Sequence, residues 1–129
     1  MMASSKMDII RGDAFSVLRK LLETDKSYDI VICDPPAFVT SRQSLNSGLR
    51  AYEKMANLGS SLVRENGILV LCSCSQLAGL TKFRSACVRG IGRAGRRAQL
   101  IHTGFAAADH PIHLQLLDNS YLKCLVFRL

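Results

Sequence analysis

Two apolar runs, Tyr28-Asp29-Ile30-Val31-Ile32-Cys33 and Gly67-Ile68-Leu69-Val70-Leu71-Cys72, constrain the fold of this 129-residue chain more than any other feature. A strand with one wet face alternates apolar and polar residues, whereas a strand covered on both faces does not. The two runs therefore predict strands of a parallel sheet with helices on both sides. Each run ends in a polar motif: Asp34-Pro35-Pro36-Ala37-Phe38 follows the first and Ser73-Cys74-Ser75 the second. In open α/β sheets ligands bind outside the carboxyl ends of the strands, so the two motifs read as half of an active site.

The rest of the chain alternates in the same way. Met7-Asp8-Ile9-Ile10 reads as a short strand leading into Arg11-Gly12-Asp13, and a helix follows with Phe15, Val17, Leu18, Leu21 and Leu22 on one side. A polar loop from Thr40 to Asn46 precedes a helix using Leu49, Tyr52, Met55, Ala56, Gly59 and Leu62, which stops around Glu65-Asn66-Gly67. Gln76 to Val88 has helical spacing, a Gly- and Arg-rich stretch leads to a strand at about Ala98 to Thr103, and Tyr121 to Leu129 is a last strand. The order βαβαβαββ implies right-handed crossovers and an α/β fold. Its sheet is mostly parallel, with an antiparallel hairpin at the C-terminal end.

Composition narrows the function. With 48% hydrophobic and 21% charged residues the chain is neither disordered nor fibrous, and its length suits one domain. A net charge of +7 favours a polyanionic partner such as RNA. The five cysteines include no CxxC pair, which argues against a disulfide framework or a metal site and for reduced thiols in the cytoplasm. No apolar stretch approaches the roughly 20 residues of a membrane span, and Met1 to Lys6 is too short and polar for a signal peptide. No membrane partner is expected.

Four segments taken in order carry a resemblance: Gly12-Asp13-Ala14-Phe15 with Leu18, the strand ending in Asp34-Pro35-Pro36-Ala37-Phe38, Cys72-Ser73-Cys74-Ser75, and Asp109-His110-Pro111-Ile112 with Tyr121-Leu122-Lys123. The chain resembles the class I S-adenosylmethionine-dependent methyltransferases, specifically the bacterial-type cytosine-5 methyltransferases of large-subunit ribosomal RNA. That resemblance implies a Rossmann-like sheet, S-adenosylmethionine as cofactor and ribosomal RNA as partner. The family's Gly-rich loop and the acid ending its second strand have no counterpart here. Residues 1–129 therefore look like the distal, substrate-side part of the domain, N-terminally truncated and lacking the first two family strands, and cofactor binding by this chain alone is expected to be weak. The missing strands would leave the Asp34 strand with an open edge. Such an edge invites pairing, either with a rearranged first strand or with a second copy in a homodimer.

The resemblance assigns roles residue by residue. Cys74 is the nucleophile: methylating carbon 5 of cytosine requires attack at carbon 6, which a thiolate performs well. Buried structural thiols are the reading for Cys33, Cys72, Cys87 and Cys124. Asp34 meets the N3 and amino edge of a flipped cytosine, Pro35 and Pro36 fix the loop, and Phe38 stacks on the base. Asp13, Ala14 and Phe15 contact the cofactor's adenine, while Asp13 also suits a helix N-cap. His110 is placed near the active edge as an RNA contact or proton relay, against the plainer reading of a structural histidine. The string Gly90-Ile91-Gly92-Arg93-Ala94-Gly95 matches a dinucleotide-binding pattern, but it follows a helix and precedes a strand, so no helix N-terminus faces a phosphate. With Arg89, Arg93, Arg96 and Arg97 it reads instead as a flexible cationic loop for an RNA backbone or as a solvated helix end. A catalytically silent RNA-binding domain and a methyltransferase acting on an exocyclic amino group stand as the alternatives to the cytosine-5 enzyme.

Overall fold

A computed structural model describes residues 6–109 and 121–129. In chain order the elements are α1 (Ala14–Leu22), β1 (Tyr28–Cys33), α2 (Leu45–Leu62), β2 (Val63–Ser73), α3 (Leu80–Arg93), β3 (Gln99–Phe105) and β4 (Lys123–Arg128). The four strands form one open sheet in the order β1-β2-β4-β3. β1 and β2 run parallel, while β4 is antiparallel to both β2 and β3. The class is α/β as expected, with the C-terminal antiparallel pair in place. The parallel part is smaller than expected, confined to β1 and β2.

The reason lies at Met7–Ile10. These residues form no strand: Met7 is 77% exposed and Ile9 is 83% exposed, and β1 pairs on one side with β2 and with nothing else described. A strand needs a hydrogen-bonding neighbour, and none lies within the sheet for this segment. The expected rearrangement of a first strand beside β1 does not occur.

Helices cover one face. Leu69 and Leu71 of β2, Leu125 and Phe127 of β4, and Val31 and Cys33 of β1 pack towards α2 and α3, around Tyr52, Phe83, Ala86, Cys87 and Ile91. Burying each large side chain there contributes about 1.5–3 kcal/mol. α2 lies close to the sheet because Gly59 has no side chain: a Cβ there would stand 3.1 Å from Cys33 Sγ. The opposite face is partly bare, with Ile30 at 59% and Ile32 at 66% exposure. The unbroken apolar run of β1 therefore does not mark a strand covered on both sides in this chain.

Element ends also shift. α2 stops at Leu62, before the expected Glu65, and β2 begins directly. Its start carries an irregularity, since Tyr28 pairs with Val63 but Ile30 with Ile68, and Asn66 takes a left-handed φ of 61°. Arg96 explains the early stop: its Nη1 donates to the carbonyls of Ser60 (2.7 Å) and Val63 (2.6 Å), capping the C-terminus of α2. α3 starts at Leu80 and runs through Gly90 and Gly92 instead of ending at Val88. Gly90 is the point where α3 crosses α2, for a Cβ would lie 2.2 Å from Glu53 O. Gly95, at φ 72°, ends the helix, with its N–H donating to Gly92 O and the Arg96 N–H to Ile91 O, the Schellman pattern. The expected flexible Gly/Arg loop is thus mostly helix and helix cap.

The cysteines depart from the expectation of reduced thiols. Cys72 and Cys124 sit directly opposite each other in the antiparallel β2–β4 ladder, 4.3 Å apart at Cα, and are joined as a disulfide. That spacing is the close, non-hydrogen-bonded type, which brings facing side chains nearest. Cys33, Cys74 and Cys87 are free.

Candidate active site

Strand register brings the two motifs to one rim. Cys33 pairs with Leu71 across the parallel β1–β2 ladder, so Asp34 leaves the sheet one step beyond and Cys74 leaves just past Ser73 on the neighbouring strand. β4 enters the sheet at the same rim, because Ser73 pairs with Lys123. The loop after β1, the end of β2 and the start of β4 therefore meet at the carboxyl edge, where ligands bind in open α/β sheets.

A buried hydroxyl network ties these pieces together. Tyr52, on the sheet-facing side of α2, is fully buried. Its hydroxyl accepts from Ser73 Oγ at 2.9 Å, shares a 2.5 Å hydrogen bond with Ser75 Oγ, and receives the Phe38 N–H at 3.4 Å. Ser75 Oγ in turn accepts from the Val39 N–H at 3.1 Å, and Ser73 Oγ from the Ser75 N–H at 3.2 Å. Both serines have no exposure. They anchor the residues on either side of Cys74 and fasten the Asp34–Val39 loop to the end of β2. Lys123, 5% exposed, completes the arrangement by donating from Nζ to the carbonyls of Ser75 (2.9 Å) and Tyr121 (3.1 Å).

Among the free cysteines, Cys74 is half-buried between its two buried serines. The other two lie deeper: burial pushes the Cys33 thiol up to about 11, and burial together with the neighbouring Cys33 pushes Cys87 up further. Both are held in the unreactive thiol form, in line with their structural reading. Asp34 is exposed at the rim, Pro35 is half-buried and Pro36 exposed. No described hydrogen bond joins Asp34 to Cys74; what they share is the rim of adjacent strands.

Phe38 departs from its expected place. Its ring stacks on Phe15 with centroids 5.9 Å apart and tilts against Tyr52 at 4.8 Å. The ring fastens the loop to α1 and α2 and is not set out for a base. Phe15 is engaged in the same packing, with Lys54 Nζ 4.7 Å above its ring. Asp13 is the N-cap of α1: Oδ2 accepts from both the backbone N–H and the hydroxyl of Ser16, each at 2.9 Å. These bonds hold its carboxyl below the usual aspartate value, with Lys54 and Arg19 adding smaller charge contributions. Oδ1 takes part in neither bond, which leaves it for an amine donor beside the exposed Ala14. His110 lies outside the described residues.

The basic stretch is largely consumed within the fold. Arg89 and Arg93 flank the buried carboxylate of Glu53, at 3.4 and 2.8 Å, and Arg96 caps α2. Only Arg97 of the four makes none of these contacts. Sequence reasoning missed Tyr52, Ser73, Ser75 and Lys123 as site residues. The available signals were a tyrosine on a buried helix face, whose hydroxyl must find a partner, and a lysine inside the apolar run Tyr121–Leu129.

The fold is similar to that of solved proteins described as methyltransferases. A protein described as a methyltransferase and solved in complex with SAH superposes with a TM-score of 0.75 at 21% identity, over 92% of this chain and 30% of that one. A SAM-dependent methyltransferase structure from Streptococcus mutans gives 0.74 at 22%, over the same shares. By sequence the chain is similar to proteins named ribosomal RNA large subunit methyltransferase. It is 34% identical over 119 residues to ribosomal RNA large subunit methyltransferase I of Cronobacter sakazakii (92% of this chain) and 35% over 123 residues to that of Pseudoalteromonas atlantica (95%). The chain spans about a third of the length of these relatives, 30% and 31%. No family model matches it. Among the described residues no helix is long and apolar enough to cross a membrane.

Proposed function

We propose that the site methylates carbon 5 of a cytosine in large-subunit ribosomal RNA, with Cys74 as the nucleophile. The observation that supports this most is the hydroxyl network of Tyr52, Ser73 and Ser75, which fixes a half-buried free thiol beside an acidic loop at the ligand edge of the sheet. Networks that over-determine one short segment are expected where a nucleophile must be held within a fraction of an ångström.

The Cys74 thiolate adds to carbon 6, and the electrons move to carbon 5, which becomes the carbon nucleophile. Asp34 accepts from the cytosine amino group and N3–H, stabilising the charge of the adduct, and Pro35 and Pro36 hold that carboxylate in place without needing N–H partners. S-adenosylmethionine, when bound, supplies the methyl group. A base then removes the carbon 5 proton, and the sulfur–carbon 6 bond breaks to return the thiolate.

The residues present fit only the adenine end of that cofactor. Asp13 offers Oδ1 and Ala14 an exposed backbone, while the Phe15 ring is occupied by Phe38 and Lys54. Weak binding by this chain is the consequence. The RNA partner and a cytoplasmic location follow from the proposed substrate, and a homodimer through the free edge of β1 is the proposed assembly.

Calorimetric titration with S-adenosylmethionine and nucleoside analysis of treated ribosomal RNA test these readings. The proposal expects 5-methylcytidine from the wild-type chain at high cofactor concentration and none from Cys74→Ala. No binding at all supports the silent domain, and an N-methylated nucleoside surviving Cys74→Ala supports amino-group transfer.

A further inference from the structure

Lys123 is the one cation among the described residues whose ammonium is drawn into the interior beside the candidate nucleophile. It lies opposite Ser73 in the β2–β4 ladder, is 5% exposed, and hydrogen-bonds two carbonyls, Ser75 O and Tyr121 O. Its described partners are these two carbonyls. Taking an ammonium out of water onto two carbonyls is costly, since carbonyl dipoles replace only part of its lost hydration. A purely structural tether between two carbonyls would be served more cheaply by a neutral donor. The residue that its bond to Ser75 reaches across is Cys74.

We propose that Lys123 is a positioning residue for Cys74: its two carbonyl bonds fix the turn that carries the thiol, and its charge favours the thiolate that attacks the base. The catalytic meaning rests on the reading of Cys74 as nucleophile; the coupling between the two groups does not. The electrostatics agree, since burial holds the Lys123 ammonium below the ordinary lysine value while the neighbouring Cys74 acts in the opposite direction. Asp34, one step past the end of β1, stands at the same rim, and the Tyr121 carbonyl takes the second Lys123 bond. Cys72 is held in the disulfide and does not titrate.

Alkylation of Cys74 by iodoacetamide, followed by peptide mass spectrometry across pH 6 to 10, tests the coupling without requiring methyl transfer. In Lys123→Met, which keeps the length and loses the charge, the rate at pH 7 is expected to fall about tenfold. An unchanged profile in a folded variant overturns the proposal. Should Lys123→Met fail to fold, the reciprocal measurement decides: the Nζ resonance of Lys123 is titrated in the wild type and in Cys74→Ser, whose changed side chain is half-buried. A lower Lys123 midpoint in Cys74→Ser supports the coupling, and identical midpoints refute it. Methylation failing while the alkylation shift stands would overturn the cytosine reading alone.

Discussion

Tyr52 shows how one hydroxyl can decide the geometry of two loops. It links Ser73, Ser75 and Phe38, so Tyr52→Phe leaves buried hydroxyls short of a partner. A loss of about 1–3 kcal/mol in urea unfolding is expected, together with faster amide exchange at Phe38 and Ser75. Asp13 offers a milder test. Its capping bonds favour the ionised form in the folded state, so its contribution is present above the ordinary aspartate value and is lost as pH falls through the depressed folded value. Asp13→Ala should therefore lower the thermal midpoint at pH 7 and converge with the wild type in acid. The placement of Cys74 and Asp34 at one rim was legible because each follows an apolar run ending at the carboxyl edge of the sheet. Phe38 was not, because its ring partner Phe15 lies 23 residues earlier (38 minus 15), and no local spacing shows which aromatics will meet.

At the scale of elements, the glycines of α3 separate two effects that the sequence pattern conflates. Gly90 lies where α3 touches the α2 backbone, so Gly90→Ala must push the helices apart, and a loss of about 1–3 kcal/mol or more is expected in chemical denaturation. Gly92 has open space around its Cβ position, and Gly92→Ala should gain about 0.5–1 kcal/mol by the better helix propensity of alanine. Equal effects of the two substitutions would contradict the helical placement. The same stretch resembled a loop in sequence because glycine signals both flexibility and close packing, and only the neighbouring helix distinguishes them. The disulfide was hidden for a related reason: Cys72 and Cys124 are 52 residues apart, and their contact depends on a ladder register that no local pattern encodes. Denatured without reductant, the protein should titrate three thiols; five would contradict the bond.

For the molecule as a whole, the sheet has among the described residues one helix-covered face and one partly bare face, with β1 unpaired along its outer edge there. The apolar runs announced strands fit for full coverage, which is why they were so legible. What lies outside the described sheet beside β1 is not encoded in those runs. If the edge pairs with a second copy, sedimentation should give a dimer that an Ile32→Lys change dissolves; a monomer at all concentrations would refute that assembly. RNA carrying 5-fluorocytosine shows whether the rim thiol of Cys74 attacks the base. Fluorine replaces the proton that must leave carbon 5, so the sulfur–carbon 6 bond cannot be released once the methyl group has arrived. Incubated with such large-subunit RNA and excess S-adenosylmethionine, the chain should become covalently joined to RNA through Cys74, as read by mass spectrometry. Methylated RNA without an adduct, or an adduct that persists in Cys74→Ala, would contradict the account.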